Sequence, residues 1–292
     1  MTLQRVGILS PGDMGHTVGH RLVEHGLPVL TCLAGRSQRT RDLAQEAGIE
    51  DMPTYEQLVQ QADMILSILV PAEAGVAAAA VAEALLVTGQ QITYVDCNAI
   101  APNTVKKVSE IIIGAGSRFV DVGIIGAPPT RDGITRFYAS GVDVTEFERL
   151  KRYGLDVRVV GTEIGQASGL KMVYAAMTKG TTALSTELLI AARRLGLYDV
   201  LVQELRESQA ERYTALERSL PAMPTKARRW VGEMEEIAQT FEDLRLTPRI
   251  YQGAADIYRF VSQNALADET PETLDRNRTV AQLIQLLSEG EA

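Results

Sequence analysis

The sequence predicts an α/β protein, with a doubly wound, mostly parallel sheet over residues 1–164 followed by an all-α domain over residues 165–292. Three observations carry this. Short β-branched runs alternate with helical patterns through the first half, and a glycine-bearing turn joins the first run to the first helix. From Gly165 onward strand signals stop, and segments rich in Ala, Leu, Glu, Arg and Gln run to the end. At 292 residues, 46% of them hydrophobic, the chain is long enough for two domains with a sizeable core.

Strands are expected at 5–9, 28–33, 64–69, 93–97, 119–124, 135–140 and 157–160, where Val, Ile, Leu, Phe and Tyr gather in short runs. Helical patterns at 14–25, 39–47, 73–86, 103–113 and 145–153 fill the intervals. The apolar stretch 72–87 is interrupted by Glu73 and Glu83 and falls short of the roughly 20 residues a bilayer requires, so it reads as an alanine-rich helix and no membrane partner is expected. In the second half the periodic segment 166–195 is too long for a crossover helix and is ended by Gly196. Further helices are expected at 200–219, 225–244, 249–263 and 272–288, with breaks at Pro221, Pro224, Pro248 and Pro271.

Acidic side chains outnumber basic ones by 37 to 29, a formal net charge of −8 that speaks against a nucleic-acid or anionic-lipid surface. An anionic ligand must therefore be met locally. Cys32 and Cys97 each lie in an apolar run, so a reducing compartment, the cytoplasm by default, is expected rather than a disulfide framework; the first residues do not read as a cleaved signal.

The turn Ser10-Pro11-Gly12-Asp13-Met14-Gly15 follows the first strand and opens the first helix, the Rossmann-type setting for a dinucleotide. Gly12 would let backbone N–H groups approach the pyrophosphate, the helix N-terminus would offer unpaired donors, and Gly15 would allow close helix–strand packing. Ser10 stands where the fingerprint has its first glycine, so the motif is incomplete, and two glycines in such a turn also serve as a plain tight connection. After the second strand an NAD site places an acid for the ribose hydroxyls. This chain offers Ala34-Gly35-Arg36-Ser37-Gln38-Arg39 instead, whose guanidinium groups and hydroxyl suit a 2′-phosphate and favour NADP over NAD. The alternative is a solvated arginine in a helix-start turn.

Further stations align behind these: Val70-Pro71 at a strand end, Asp96-Cys97-Asn98-Ala99-Ile100-Ala101-Pro102, the stretch from Asp121 to Ala127, and Gly165-Gln-Ala-Ser-Gly-Leu-Lys171. In order and spacing the whole series resembles the β-hydroxyacid dehydrogenase and 6-phosphogluconate dehydrogenase superfamily over nearly the full chain, in the subgroup with a short, distinctive helical C-terminal domain. The resemblance implies a nicotinamide cofactor, a small-molecule substrate and a homodimer or higher oligomer. It also implies that Lys171 moves the proton in the chemical step, which suits carbinol chemistry because hydride transfer needs a base for the hydroxyl proton. By the same resemblance the loop at Asn98 lies beside the nicotinamide, with Asn98 touching its carboxamide or the substrate.

Three positions depart from the family. Besides Ser10, Tyr174 replaces an asparagine one turn after the lysine, and is either a donor to the substrate or a packed tyrosine. Ile125 takes the place of a serine in a serine-glycine-glycine turn that holds the substrate carboxylate in relatives acting on 3-hydroxy acids. Ile125-Gly126-Ala127, followed by Pro128-Pro129 without N–H groups, therefore predicts poor turnover of simple 3-hydroxy acids and better turnover of bulkier, less polar carbonyl or imine compounds; the opposing reading is a turn shifted by one residue, with the carboxylate still held by backbone donors.

His16 and His20 have chelating spacing but lack the glutamate of a zinc-protease helix, so no metal is expected. Lys226, Arg228 and Arg229 beside Trp230 precede Glu233, Glu235 and Glu236 and read as a solvated amphipathic helix. The sequence thus points to an NADP-dependent oxidoreductase moving a hydride between nicotinamide and a small hydroxy or carbonyl compound. The alternatives are an imine reductase or reductive aminase, and a catalytically silent NADP-binding protein.

Overall fold

The computed structural model describes residues 3–289. Its chain divides into two compact units, the first ending at Met172 and the second beginning at Val173. The division lies within a long helix rather than ahead of it at residue 165.

In the first unit the elements run β1 (Val6–Leu9), α1 (Asp13–Glu24), β2 (Val29–Thr31), α2 (Gln38–Glu46), β3 (Glu50–Asp51), α3 (Tyr55–Gln61), β4 (Met64–Ser67), α4 (Ala74–Thr88), β5 (Thr93–Asp96), α5 (Pro102–Gly114), β6 (Arg118–Gly126), β7 (Thr135–Ser140), α6 (Thr145–Glu148) and β8 (Asp156–Gly161). The eight strands form one sheet in the order β3-β2-β1-β4-β5-β6-β7-β8. The first six run parallel, β7 turns back antiparallel to β6, and β8 is parallel to β7. This is the doubly wound Rossmann-type sheet the sequence predicts, with the strand order reversing between β1 and β4.

Alternation along the strands sends successive side chains to opposite faces. Val6, Ile8, Met64, Leu66, Val122 and Ile124 join Val18 and Leu22 of α1 and Phe147 of α6 in one apolar core. Leu9, Ile65 and Tyr94 join Leu58 of α3, Val81 and Leu85 of α4 and Val105 of α5 in the other. Gly7 is the thin point of β1, since a Cβ there would sit 3.0 Å from Ile65 Cγ1. Helix α4 is apolar and long enough, with its preceding turn, to pass a length-and-composition test for a membrane span, but Ala74, Ala77, Ala78, Val81, Ala82, Ala84 and Leu85 are buried against this second core.

The second unit takes up α7 (Gln166–Arg194) beyond residue 172 and adds α8 (Tyr198–Ser208), α9 (Ala210–Ser219), α10 (Pro224–Asp243), α11 (Arg249–Ser262) and α12 (Val280–Glu289). It is all-helical. Its core includes Leu189, Met223, Ile237, Tyr258, Val261 and Leu283, together with a buried ion pair between Lys179 and Glu233. Trp230 meets Tyr258 edge-on at 5.2 Å, and the Tyr258 hydroxyl donates to the Lys179 carbonyl at 2.7 Å. The basic cluster before this point is paired locally: Arg228 with Asp268, Arg229 with Glu233, and Lys226 over the Trp230 ring at 5.7 Å.

Several elements differ from the sequence expectation. Strand β3 and helix α3 were not anticipated. The predicted helix 200–219 breaks at Gln209, which leaves helical geometry at φ −139° and ψ 43°. The predicted helix 272–288 begins only at Val280, after side-chain turns in which Thr273 Oγ1 accepts from the Thr270 N–H at 2.8 Å and Gln282 Oε1 accepts from the Thr279 N–H at 2.8 Å. The predicted helix 145–153 is α6 followed by a 3₁₀ turn, Arg149–Tyr153, which Gly154 ends at φ 85°.

Candidate dinucleotide site and proton-transfer lysine

The carboxyl ends of β1, β4 and β5 lie in register, Leu9 beside Ser67 and Ser67 beside Asp96, and Asp96 pairs with Asp121 in β6, which runs on past them to Gly126. In an open α/β sheet the ligand crevice lies here, at the point where the strand order reverses.

Ser10 leaves β1 with φ 58°, the left-handed conformation that a glycine takes freely. Its carbonyl accepts from the Gly12 N–H at 2.7 Å and closes the turn. Gly15 is required next to it, because a Cβ would stand 2.8 Å from the Ser10 oxygen. Gly12 has the opposite surroundings: a Cβ there would meet nothing within 4 Å, and as the cap of α1 it supplies no side-chain acceptor to the first-turn N–H groups. A sharp turn, an uncapped helix N-terminus and open space at the middle glycine fit a dinucleotide pyrophosphate. Pro11 is buried and Met14 half-buried against the core, so these two shape the turn. Asp13 is ion-paired to Arg39 of α2 at 2.6 Å, and His16 directs Nδ1 to the Gly12 carbonyl at 2.7 Å. Arg39 thus answers the charge of Asp13, the acid set in the phosphate turn.

Past β2 the chain turns through Gly35 at φ 72°. Arg36 is half-buried and, among the described residues, its guanidinium has no hydrogen bond or ion pair, which suits it to an incoming anion. Ser37 is exposed and caps α2, its Oγ accepting from the Thr40 N–H at 3.3 Å. Val70 is exposed after β4, and Pro71 opens a short 3₁₀ turn.

Asn98 has a different place from the one expected. It is 2% exposed, and its amide donates to Ser67 Oγ at 3.0 Å and to Asp96 Oδ2 at 2.9 Å, while its Oδ1 accepts from the Leu69 N–H at 2.6 Å. Both amide protons tie the ends of β4 and β5 together, so Asn98 shapes the loop. Asp96 lies beneath it, fully buried. Burial raises its pKa to about 7, the Asn98 donors oppose that rise, and the neighbouring Asp121 adds to it.

Lys171 lies in the second turn of α7 and donates from Nζ to the Ile124 carbonyl of β6 at 2.7 Å. The helix comes this close because position 123 is glycine: a Cβ would sit 2.6 Å from the Ala167 oxygen and 3.0 Å from Lys171 Cβ. Tyr174 is 45% exposed in the second unit, which removes the packed-core alternative for it. Ile125 is 3% exposed and packs inside the unit, whereas Gly126 (φ 125°) and Ala127 are exposed.

Sequence reasoning missed the buried polar set Asp121, Ser140 and Ser168, which converges on the start of α7. The signal present was one acid in an otherwise apolar run, Phe119-Val-Asp-Val-Gly-Ile-Ile125.

Fold and turn together define a dinucleotide-binding protein. Residues 5–153 match the NAD binding domain of 6-phosphogluconate dehydrogenase, and residues 192–261 match a domain of unknown function, DUF1932. The chain belongs to the family that this NAD-binding domain defines. It is 27% identical over 262 residues to an uncharacterized 28.5 kDa protein in the 7S RNA 5′ region of Methanothermus fervidus, covering 89% of this chain and 99% of that protein. A solved structure of a conserved protein of unknown function, described as structurally similar to 3-hydroxyacid dehydrogenases, is 32% identical with a TM-score of 0.66, covering 89% of this chain and 97% of that one. The fold is also that of a 3-hydroxyisobutyrate dehydrogenase from Salmonella typhimurium, at 15% identity and a TM-score of 0.68 over 88% of this chain and 93% of that one.

Proposed function

We propose that the protein is an NADP-dependent oxidoreductase that interconverts a small hydroxy compound and its carbonyl form, with Lys171 as general acid and base. The observation that carries this reading is the attachment of Lys171 Nζ to the Ile124 carbonyl, at the carboxyl end of the same sheet that presents the open glycine turn. When bound, the nicotinamide supplies or accepts the hydride. The chain's own part is to hold the pyrophosphate at the α1 N-terminus, to meet a 2′-phosphate with Arg36 and to move the substrate proton at Lys171 Nζ. A lysine steadied by a backbone carbonyl stands at a fixed point, and fixed geometry is what makes general acid–base transfer worth roughly 10²- to 10⁴-fold in rate. Gly126 and Ala127, exposed at the end of β6 in the same unit, are the backbone contacts assigned to the substrate, and Tyr174, exposed on α7, is a separate candidate donor.

The test is turnover of ketones, hydroxy acids and imines with NADPH, in wild type and Lys171→Ala. The variant is expected to lose about 10²-fold or more in kcat while NADPH affinity is kept. Full turnover by the variant would remove Lys171 from the chemistry. Turnover confined to imines would make the protein an imine reductase, and binding of NADPH with no turnover would make it a silent cofactor-binding protein.

A further inference from the structure

We propose that Asp121 is the positioning residue for Lys171: by capping the start of α7 from within β6, it fixes the register in which the lysine meets the Ile124 carbonyl. The inference rests on the reading of Lys171 as the proton-transfer group.

The first N–H groups of a helix have no partner inside it and are ordinarily met by the side chain just ahead. Ahead of α7 stands Gly165, at φ 103° and without a side chain. The cap comes instead from a residue 44 positions earlier. Asp121 Oδ2 accepts from the Gly165 N–H at 2.8 Å and the Ser168 N–H at 3.1 Å, and Oδ1 accepts from Ser168 Oγ at 2.5 Å. Ser140 Oγ on β7 donates to Asp121 Oδ2 at 3.0 Å and accepts from the Ala167 N–H at 3.0 Å. Three of the four backbone donors from Gly165 to Ser168 thereby end on one carboxylate and one hydroxyl, all of it buried, while the Gln166 N–H goes to the Glu163 carbonyl.

Strand β6 then holds the same helix at two further points. Gly123 admits the backbone at Ala167, and the Ile124 carbonyl accepts from Lys171. Since Ser168 and Lys171 are three residues apart on one helix face, a rotation or slip at the capped end carries Lys171 off its acceptor. A carboxylate with no cationic partner among the described residues is expensive in a strand core, and burial does raise its pKa; the four converging donors offset that cost by holding the charged acceptor form. An apolar residue at 121 would avoid the cost altogether but would leave the N–H groups of the lysine-bearing helix without an acceptor.

The experiment uses the full chain with its lysines reductively ¹³C-methylated. The Lys171 resonance is assigned with Lys171→Arg, and the variants are Asp121→Asn, which places an amide donor among the helix donors, and Ser168→Ala, which removes one bond and keeps the N–H. Both are expected to move the Lys171 resonance and its pH titration, the first more than the second, while the Lys151 and Lys226 signals stay in place and NADPH affinity changes less than threefold. With whichever compound the panel shows to be a substrate, Asp121→Asn is expected to lower kcat about tenfold with KM nearly kept, and to cost nothing further in a Lys171→Ala background. An unmoved Lys171 signal in Ser168→Ala and in any folded Asp121→Asn protein overturns the proposal. So does an undiminished kcat loss from Asp121→Asn in the Lys171→Ala background, since Asp121 would then act on the fold at large. Failure of the underlying reading is a separate result, namely unimpaired turnover by Lys171→Ala itself.

Discussion

Ser10 holds a left-handed conformation that costs a non-glycine residue about 1–2 kcal/mol, partly offset because glycine has more chain entropy to lose. Ser10→Gly is accordingly expected to raise stability by about 0.5–1 kcal/mol in urea denaturation without weakening NADPH, and a loss of stability would show that the serine hydroxyl contributes something the strain argument omits. Arg36→Ala is expected to weaken NADPH by tenfold or more and to leave NADH nearly unchanged, as read by titration calorimetry, because its planar fork suits a phosphate and its turn, residues 34–39, holds no acid. Equal losses for both cofactors would remove the 2′-phosphate assignment. Asp96 makes a pH prediction. Its folded pKa of about 7 lies above the unfolded value of 3.8, so between these the folded state binds the extra proton and stability falls as pH rises through that window. Asp96→Asn is expected to flatten the decline in unfolding free energy between about pH 4 and pH 7, and an unchanged slope would mean that Asp96 is ionised throughout.

The elements that the sequence shows clearly are those whose own residues dictate them. Alternating or continuous apolar runs mark seven strands, and the Ser10 to Gly15 turn is legible because glycine spacing is a backbone property. Strand β3 is two exposed acids with no apolar run to announce it. The break at Gln209 involves neither glycine nor proline and so leaves no local mark. At the site the same division holds: two of the partners that hold Asn98, Ser67 and Leu69, lie about 30 residues away in the chain, and the burial of Ile125 depends on packing that no local pattern shows. Gly123 is a further case in which a glycine's meaning comes from a distant helix. Gly123→Ala would press a Cβ onto the Ala167 carbonyl, where backbone and not a flexible side-chain end must move. Overpacking of this kind costs typically 1–3 kcal/mol, so a matching loss of stability is expected together with a fall in kcat from the displaced Lys171. Wild-type turnover in a folded Gly123→Ala protein would show that the close approach of α7 to β6 is not needed for the chemistry.

For the whole molecule, the open question of assembly turns on the helical unit, which buries a charge pair in its own core yet leaves apolar surface in water. Lys179 and Glu233 are both nearly buried and satisfy each other, so that unit does not need a partner to shield its internal charges. Its outer face is another matter. Val173, Met177 and Leu184 follow one another along α7 at helical spacing, and Met177 is 72% exposed. With Phe241, Tyr251 and Ile257 they line a cleft of about 630 Å³ beside Ile250, itself 65% exposed. Apolar side chains scattered singly on a surface need no explanation, but apolar side chains gathered around one cleft suit a contact with another molecule. A second copy of the chain is the occupant that the family resemblance implies, and in a two-fold arrangement this face of one copy would meet the same face of the other. The wild-type protein is therefore expected to scatter light as a dimer or larger at micromolar concentration. The double variant Met177→Glu with Leu184→Glu should shift toward the monomer mass with its helical circular dichroism intact, because a charge at each position would have to be desolvated in the contact. A monomeric wild type would count decisively against assembly through this face, and a dimer indifferent to both glutamates would place the contact elsewhere on the chain.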